Sequence, residues 1–236
     1  MIYDKKREFE SGLKTGFPIC LGYFPVSFTF GVMVANAGMP VWLAVLMSLS
    51  NVTSSGQFAG ANLIFAGAGY FEICLTTFII NVRYMLMSLS LSQKLAPHTT
   101  TRQRLLFGFG ITDEVSSFAS VRPKEVTSHY MYGLISTPIL GWALGTLCGA
   151  LASNLLPASW QVAMGIALYA MFIAILVPAA RESRPIICVI LLSIGITCMI
   201  RYIPALSFIS TGFRTILATI LSAGICAVLF TKEENA

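Results

Sequence analysis

Charge is what this chain has least of. Only 11% of its 236 residues are Asp, Glu, Lys or Arg, where an average soluble domain carries about 25%. So few charges cannot cover a water-exposed globule, and the deficit excludes an ordinary soluble domain. No G-x-x-x-x-G-K-[ST] occurs, which excludes ATP hydrolysis by a P-loop. A TVGYG selectivity filter is missing, as are G-x-S-x-G and any Ser/His/Asp pattern of a hydrolase. The expectation is a protein that is not an enzyme. His98 and His129 stand far apart, in or beside loops, and the six cysteines include no C-x-x-C. All six cysteines lie in apolar runs and read as small hydrophobes, so no disulfide, metal or cofactor is expected. The net charge of +5 does not ask for nucleic acid, because the Lys and Arg residues form short clusters between apolar runs.

Apolar length is what the sequence has most of. Hydrophobic residues make up 56% of the chain and mean hydropathy is +0.78. Hydrocarbon accepts apolar side chains but no unpaired backbone groups, so the reading is an all-α polytopic integral membrane helix bundle in the lipid bilayer. Apolar segments run over 16–36, 41–66, 71–92, 105–121, 128–152, 159–179, 185–203 and 211–231. Each approaches the ~20 residues that span the bilayer core, which gives seven to eight transmembrane segments in one domain, 1–236. Residues 1–15 are expected as a cytoplasmic N-terminal segment and 231–236 as a cytoplasmic tail. Lys5-Lys6-Arg7 ahead of an apolar run imitates a secretory signal. That run is long and contains Pro18 and Pro25, so it reads as a retained first helix.

Three segments carry interruptions. Segment 1 holds Gly22-Tyr23-Phe24-Pro25, segment 2 holds Asn51-Val52-Thr53-Ser54-Ser55-Gly56-Gln57, and segment 4 holds Gly108-Phe109-Gly110 before Thr112-Asp113-Glu114. Pro removes an amide donor and Gly loosens a helix, so broken helices are expected in segments 1, 2 and 4. Eight full crossings leave nine Lys and Arg inside and five outside. If segments 2 and 4 are re-entrant hairpins, the loop 93–104 moves inside and the balance becomes twelve against two, which suits the positive-inside rule better. The hairpin arms would be very short, so the eight-span arrangement is preferred.

Four constellations invite chemistry. Arg83, in Asn81-Val82-Arg83-Tyr84, lies midway through an apolar run, where a charge costs on the order of 3 kcal/mol. It either pairs internally with Asp113 or Glu114, or meets a carboxylate-bearing substrate. Asp113 and Glu114 are adjacent and point to different helix faces. One can pair with Arg83 while the other accepts a proton or an ammonium group, and the bland alternative sets both at a membrane edge near Arg122 and Lys124. Ser54-Ser55-Gly56-Gln57-Phe58 falls at a helix break whose exposed amides suit an anion, or else forms a small-residue packing interface. Thr137, Gly141, Gly145, Gly149 and Ser153 recur every fourth residue. That flat face serves packing within the chain in the preferred reading, and a second subunit in the other.

Taken in order, Gly22-Tyr23-Phe24-Pro25-Val26-Ser27-Phe28-Thr29-Phe30-Gly31, Ser55-Gly56-Gln57-Phe58, Asn81-Val82-Arg83-Tyr84-Met85-Leu86 and Thr112-Asp113-Glu114 resemble the AzlC family of branched-chain amino acid transporters. The resemblance covers about residues 10–120 and continues more loosely to the end. Gly56 stands where the family usually has Ser, and Tyr84 where it frequently has His. The resemblance implies the large subunit of a multi-pass exporter in the bacterial inner membrane, working with a small AzlD-type membrane subunit. It implies a hydrophobic amino acid as substrate and the proton gradient as driver. A zwitterion needs donors for its carboxylate and acceptors for its ammonium. Arg83 with Ser54, Ser55, Gly56 and Gln57 would serve the first. Asp113 or Glu114, with Gly22, Tyr23, Phe24 and Pro25, would serve the second. Asn81 and Tyr84 complete the expected binding set, Phe24, Phe28 or Phe58 would hold the aliphatic side chain, and Asp113 and Glu114 would couple the ion. The competing readings are a non-transporting scaffold subunit and a transporter of a different small solute.

Overall fold

The computed structural model describes residues 4–157, 159, 160, 166, 173, 176–178, 180, 181, 183–206 and 208–230. The chain order is α1 (Lys5–Asn36), α2 (Val41–Ser50), α3 (Ser54–Phe65), α4 (Tyr70–Ser92), α5 (Thr101–Gly108), α6 (Asp113–Val121), α7 (Ser128–Ala152), α8 (Arg184–Tyr202) and α9 (Thr211–Leu229). Among the described residues there is no sheet, and one isolated bridge joins Leu95 and Val126. The span expected over 159–179 lies mostly outside the described residues, as does the tail 231–236. Among the described residues five helices, α1, α4, α7, α8 and α9, are long and apolar enough to cross a membrane. The protein is an all-α membrane helix bundle.

α1 is capped by Asp4, whose carboxylate accepts from the Lys6 and Arg7 amides at 3.1 and 3.4 Å. The helix thus starts inside the stretch expected as an N-terminal segment. It then continues unbroken to Asn36, which corrects the expected interruption at Gly22-Tyr23-Phe24-Pro25. Pro18 and Pro25 each remove one amide, but a neighbouring helix lies along the full length of α1, and such support lets a membrane helix keep its prolines. Thr29 and Ser27 hydroxyls donate to the carbonyls of Pro25 and Phe24 at 3.0 and 3.1 Å and occupy acceptors in the weakened turn.

That neighbour is α7. Gly141, Gly145 and Gly149 face the backbone of Cys20, Phe24 and Phe28 respectively, and Gly133 faces Phe9 and Gly12. The first three pairs advance by four residues on both helices, so α1 and α7 run parallel. A Cβ at any of these glycines would collide with the opposite backbone. The small-residue row is therefore used within the chain, as the preferred reading had it.

The direction of α4 decides the topology. Leu91, near its end, packs with Val126, Tyr130 and Met131 at the start of α7, and Leu95 bridges Val126. Thr127 and Arg122 reach Glu8 in the first turns of α1. α4 therefore ends where α1 and α7 begin, here termed the near end, and runs antiparallel to both. Its start lies at the far end, where α1 stops, so α2 and α3 leave the far end and return to it. Two observations within that pair agree. The Gln57 amide donates to Ser48 Oγ at 2.6 Å, and Ala44 and Ala61 share one cluster with Phe30 and Val34. By the same logic α5 and α6 leave and rejoin the near end, where the Lys94 ammonium donates to the Ser120 carbonyl. None of these four helices exceeds 12 residues, at most about 18 Å, against a core of about 30 Å. Segments 2 and 4 thus each fold as a pair of short helices that leave and rejoin one end, which is the geometry of the hairpin alternative rather than of one long crossing helix.

At the far end Glu72, in the first turn of α4, accepts the Gly212 amide at 2.8 Å and the Ser210 hydroxyl, and so anchors the start of α9. α8 lies antiparallel to α9, with Ser193 and Ser222 hydroxyls 2.7 Å apart and Ile196, Ile200 and Ala218 in one cluster. The near end carries Lys5, Lys6, Arg7, Lys94, Arg102, Arg104, Arg122, Lys124 and Arg184, and the far end Arg201 and Arg214. This asymmetry is the one the positive-inside rule associates with a cytoplasmic near end.

Candidate functional site

The two hairpins enter from opposite ends, and their tips converge on the middle of α4. Each returning arm starts with a threonine cap, Thr53 before α3 and Thr112 before α6. Thr112 Oγ1 accepts from the Val115 amide at 3.4 Å, whereas Thr53 makes no side-chain cap bond. The first amides of α3 thus keep their partial positive charge facing the interior.

Arg83 sits between the two restarts. Its Nη2 is 3.1 Å from Asp113 Oδ2, donates to Ser55 Oγ at 3.0 Å and donates to the Tyr84 hydroxyl at 3.1 Å. The guanidinium carbon lies 4.9 Å from the centre of the Tyr84 ring. Three acceptors crowd one nitrogen, while the buried Nε has no partner among the described residues. The ion pair is half-open, with side-chain exposures of 41% and 37%. Of the two sequence alternatives for Arg83, pairing with Asp113 is the one the geometry shows, and its unused donor leaves capacity for an anion.

Glu114 turns the other way, as adjacent residues on a helix must. Its carboxylate accepts from the Tyr23 hydroxyl, which also lies 2.7 Å from Thr112 Oγ1. The Tyr23 ring meets Trp142 edge-on with centroids 5.3 Å apart. Trp142 Nε1 donates to Gln57 Oε1 at 2.9 Å, Gln57 continues to Ser48, and Ser48 Oγ lies 2.6 Å from Thr146 Oγ1. This buried chain ties the first hairpin to α7. Asn81 crosses from α4 to the hairpin tip, with Nδ2 3.4 Å from Asn51 Oδ1. Gly56 makes that approach possible, since a Cβ there would stand 2.5 Å from Asn81 Oδ1.

A cavity of about 420 Å³ opens beside these groups, within the ~300–1,000 Å³ range of small-molecule sites. Ile19, Val26, Phe118 and Trp142 give it apolar walls, while Ser54, Tyr23 and Glu114 supply polar ones and Gly22 leaves room on α1. A separate, very small cavity shares Tyr23, Ser54, Glu114 and Trp142 with it and is also lined by Tyr84 and Asp113. Of the residues expected to bind substrate, Gly22, Tyr23, Ser54 and Glu114 line this space. Ser55, Arg83, Tyr84 and Asp113 form the ion-pair cluster beside it, and Gln57, Gly56 and Asn81 brace the hairpin behind it. Phe58 does not reach the cavity, because it packs edge-on against Phe30 at 5.2 Å. Phe24 and Pro25 lie on an exposed face of α1, and Phe28 packs near Phe24. Trp142, Ile19 and Phe118 supply the apolar walls instead. Trp142 was hidden in the small-residue row beside Gly141, where its bulk was the signal to read.

Residues 18–156 match the family described as AzlC protein. The chain belongs to the AzlC family. The matched stretch spans both hairpins, Arg83, the carboxylates and Trp142. The chain is 26% identical over 194 residues to the inner membrane protein YgaZ of Escherichia coli, covering 79% of each. It is 31% identical over 179 residues to an uncharacterized membrane protein of Archaeoglobus fulgidus, covering 74% of this chain and 77% of that one. A Helicobacter pylori membrane protein is 28% identical over 156 residues, covering 62% and 67%. No solved structure matches the chain.

Proposed function

We propose that this AzlC-family protein is a secondary transporter that exports branched-chain or other hydrophobic amino acids across the bacterial inner membrane, coupled to protons and assisted by a small AzlD-type membrane subunit. The observation that carries the reading is the convergence of two helix restarts on a half-open Arg83–Asp113 pair, next to a cavity with one free-standing carboxylate and apolar walls. Broken helices of this kind hold solutes near the membrane midplane in many transporters. The substrate carboxylate would meet the uncapped start of α3 at Ser54 and Ser55 and the spare donor of Arg83. The ammonium would meet Glu114, held by Tyr23. The aliphatic side chain would lie against Ile19, Val26, Phe118 and Trp142. Asp113 and Glu114 are then the groups that exchange a proton during the cycle.

The test is radiolabelled amino acid flux in proteoliposomes, with this chain alone and with a candidate small subunit, using leucine, isoleucine, valine and methionine with and without a pH gradient. Gradient-dependent flux is expected. Flux only in the two-component preparation would make the pair the transporting unit. Absence of flux from folded protein in both preparations would favour the scaffold reading or another solute.

A further inference from the structure

A second cavity, of about 320 Å³, lies at the far end between α3, α4 and α9. It is separate from the cavity beside Glu114 and shares no lining residue with it. Its apolar wall includes Ala59 and Leu63 of α3, and its polar groups include Asn62, Thr76 and Thr215. Thr76 is only 1% exposed, and its hydroxyl has no partner among the described residues. A buried hydroxyl normally finds one. Nearby Glu72 uses Oε1 to hold the start of α9 and makes no hydrogen bond to Thr76, so the cavity keeps a hydrogen-bonding group that the fold does not use. Gly212 preserves the space, since a Cβ there would stand 2.7 Å from Thr76 Oγ1.

The register of α3 and α4 links this cavity to the central site. Thr76 precedes Arg83 by seven residues, two helical turns, so both lie on one face of α4. On α3, Ser55, Ala59 and Asn62 fall at the matching i, i+4, i+7 spacing. Ser55 bonds Arg83 at one end of this strip, and Ala59 and Asn62 line the cavity at the other.

We propose that this cavity is the outward vestibule of the transport path and a second position for the transported solute, a small zwitterion with an apolar side chain. The inference rests on the transporter reading above. The Thr76 hydroxyl and the Asn62 amide hydrogen-bond the polar head, Ala59 and Leu63 take the aliphatic part, and the Arg83–Asp113 pair separates this position from the cytoplasmic-side cavity.

The experiment uses a cysteine-free background, with single cysteines at Thr76 or Asn62, in right-side-out membrane vesicles treated with a membrane-impermeant maleimide. Both positions should label from outside, and external leucine should cause loss of labelling at Thr76. Labelling of Asn62→Cys without Thr76→Cys would overturn the vestibule, and labelling of Thr76→Cys unaffected by any of the four amino acids would overturn the second position. Thr76→Val gives an independent reading. Replacing an unpartnered hydroxyl by a methyl leaves melting temperature unchanged or raised, while outward flux should fall. Lost stability with unchanged flux would assign Thr76 to packing alone. If the proteoliposome assay shows no flux but solute still protects Thr76→Cys, the transport reading fails and the binding site stands.

Discussion

The guanidinium of Arg122 meets Glu8 through both terminal nitrogens, at 2.9 and 3.0 Å, whereas Arg83 meets Asp113 through one. The Arg122 pair is nearly closed to solvent, at 11% and 12% side-chain exposure. Thr127 donates to the same carboxylate at 2.5 Å, and the Arg122 guanidinium carbon lies 3.8 Å from the centre of the Tyr130 ring. Both terminal nitrogens of Arg122 thus meet a carboxylate oxygen in a forked, charge-assisted arrangement. The Arg83 pair is more than three times as exposed, overloads one nitrogen and leaves another unused. One pair fastens α1, α6 and α7 together at the near end. The other sits where two short helices restart beside a cavity, and its geometry leaves it exchangeable.

That contrast predicts opposite phenotypes. Arg122→Ala leaves the half-buried Glu8 without its charged partner, which costs about 1.5–3 kcal/mol. Melting temperature in detergent and membrane yield should both drop sharply. Arg83→Gln should shift stability by only about 0–1 kcal/mol, as for other exposed pairs, yet abolish amino acid flux. If Arg83→Gln lost as much stability as Arg122→Ala, the central pair would be a second fastening. If Arg83→Gln and Asp113→Asn both transported at wild-type rates with normal expression, the assignment of the central pair to substrate would be abandoned.

The contrast also marks how much of the molecule was legible beforehand. The membrane class followed from a charge deficit that no soluble fold tolerates. The breaks in segments 2 and 4 followed from Gly, Thr and Asn runs that an isolated helix cannot absorb. The break expected in segment 1 failed because Pro18 and Pro25 are local signals, and their outcome depends on α7 lying alongside, a contact 121 residues distant at Gly141 and Cys20. Arg83 with Asp113 was readable because an intramembrane charge requires a partner. Glu8 with Arg122 was not, since both residues looked like ordinary members of loop clusters. Nor could hydropathy distinguish crossings from hairpins; Lys and Arg placement, twelve against two, favours the hairpins. A single cysteine at Thr100 checks this: it should react with an impermeant maleimide only in inverted vesicles, and reaction from outside would restore the crossing arrangement.

A middle-sized effect is expected at Glu114, the carboxylate that the ion pair leaves alone. Glu114→Gln keeps the shape and the contact with Tyr23 but cannot release a proton. Gradient-driven flux should be lost while solute exchange without a gradient persists. Equal loss of both activities would leave Glu114 with substrate binding alone, and unchanged pH dependence would return the coupling role to Asp113.

The finest test of the comparison is Tyr84→Phe. The ring and its place beside the Arg83 guanidinium remain, and only the hydroxyl that accepts from Nη2 at 3.1 Å is removed. A hydrogen bond in such a setting contributes about 0.5–1.5 kcal/mol, so flux should fall by no more than about tenfold and melting temperature should hardly move. Because Nη2 then serves two acceptors instead of three, Asp113 should hold Arg83 more tightly. Double substitution with Asp113→Asn should therefore depart from the sum of the single effects. Additive behaviour would mean that the hydroxyl and the carboxylate do not compete for the guanidinium, and the picture of an overloaded, exchangeable donor at the meeting of the hairpins would have to give way to a rigid one like that at Arg122.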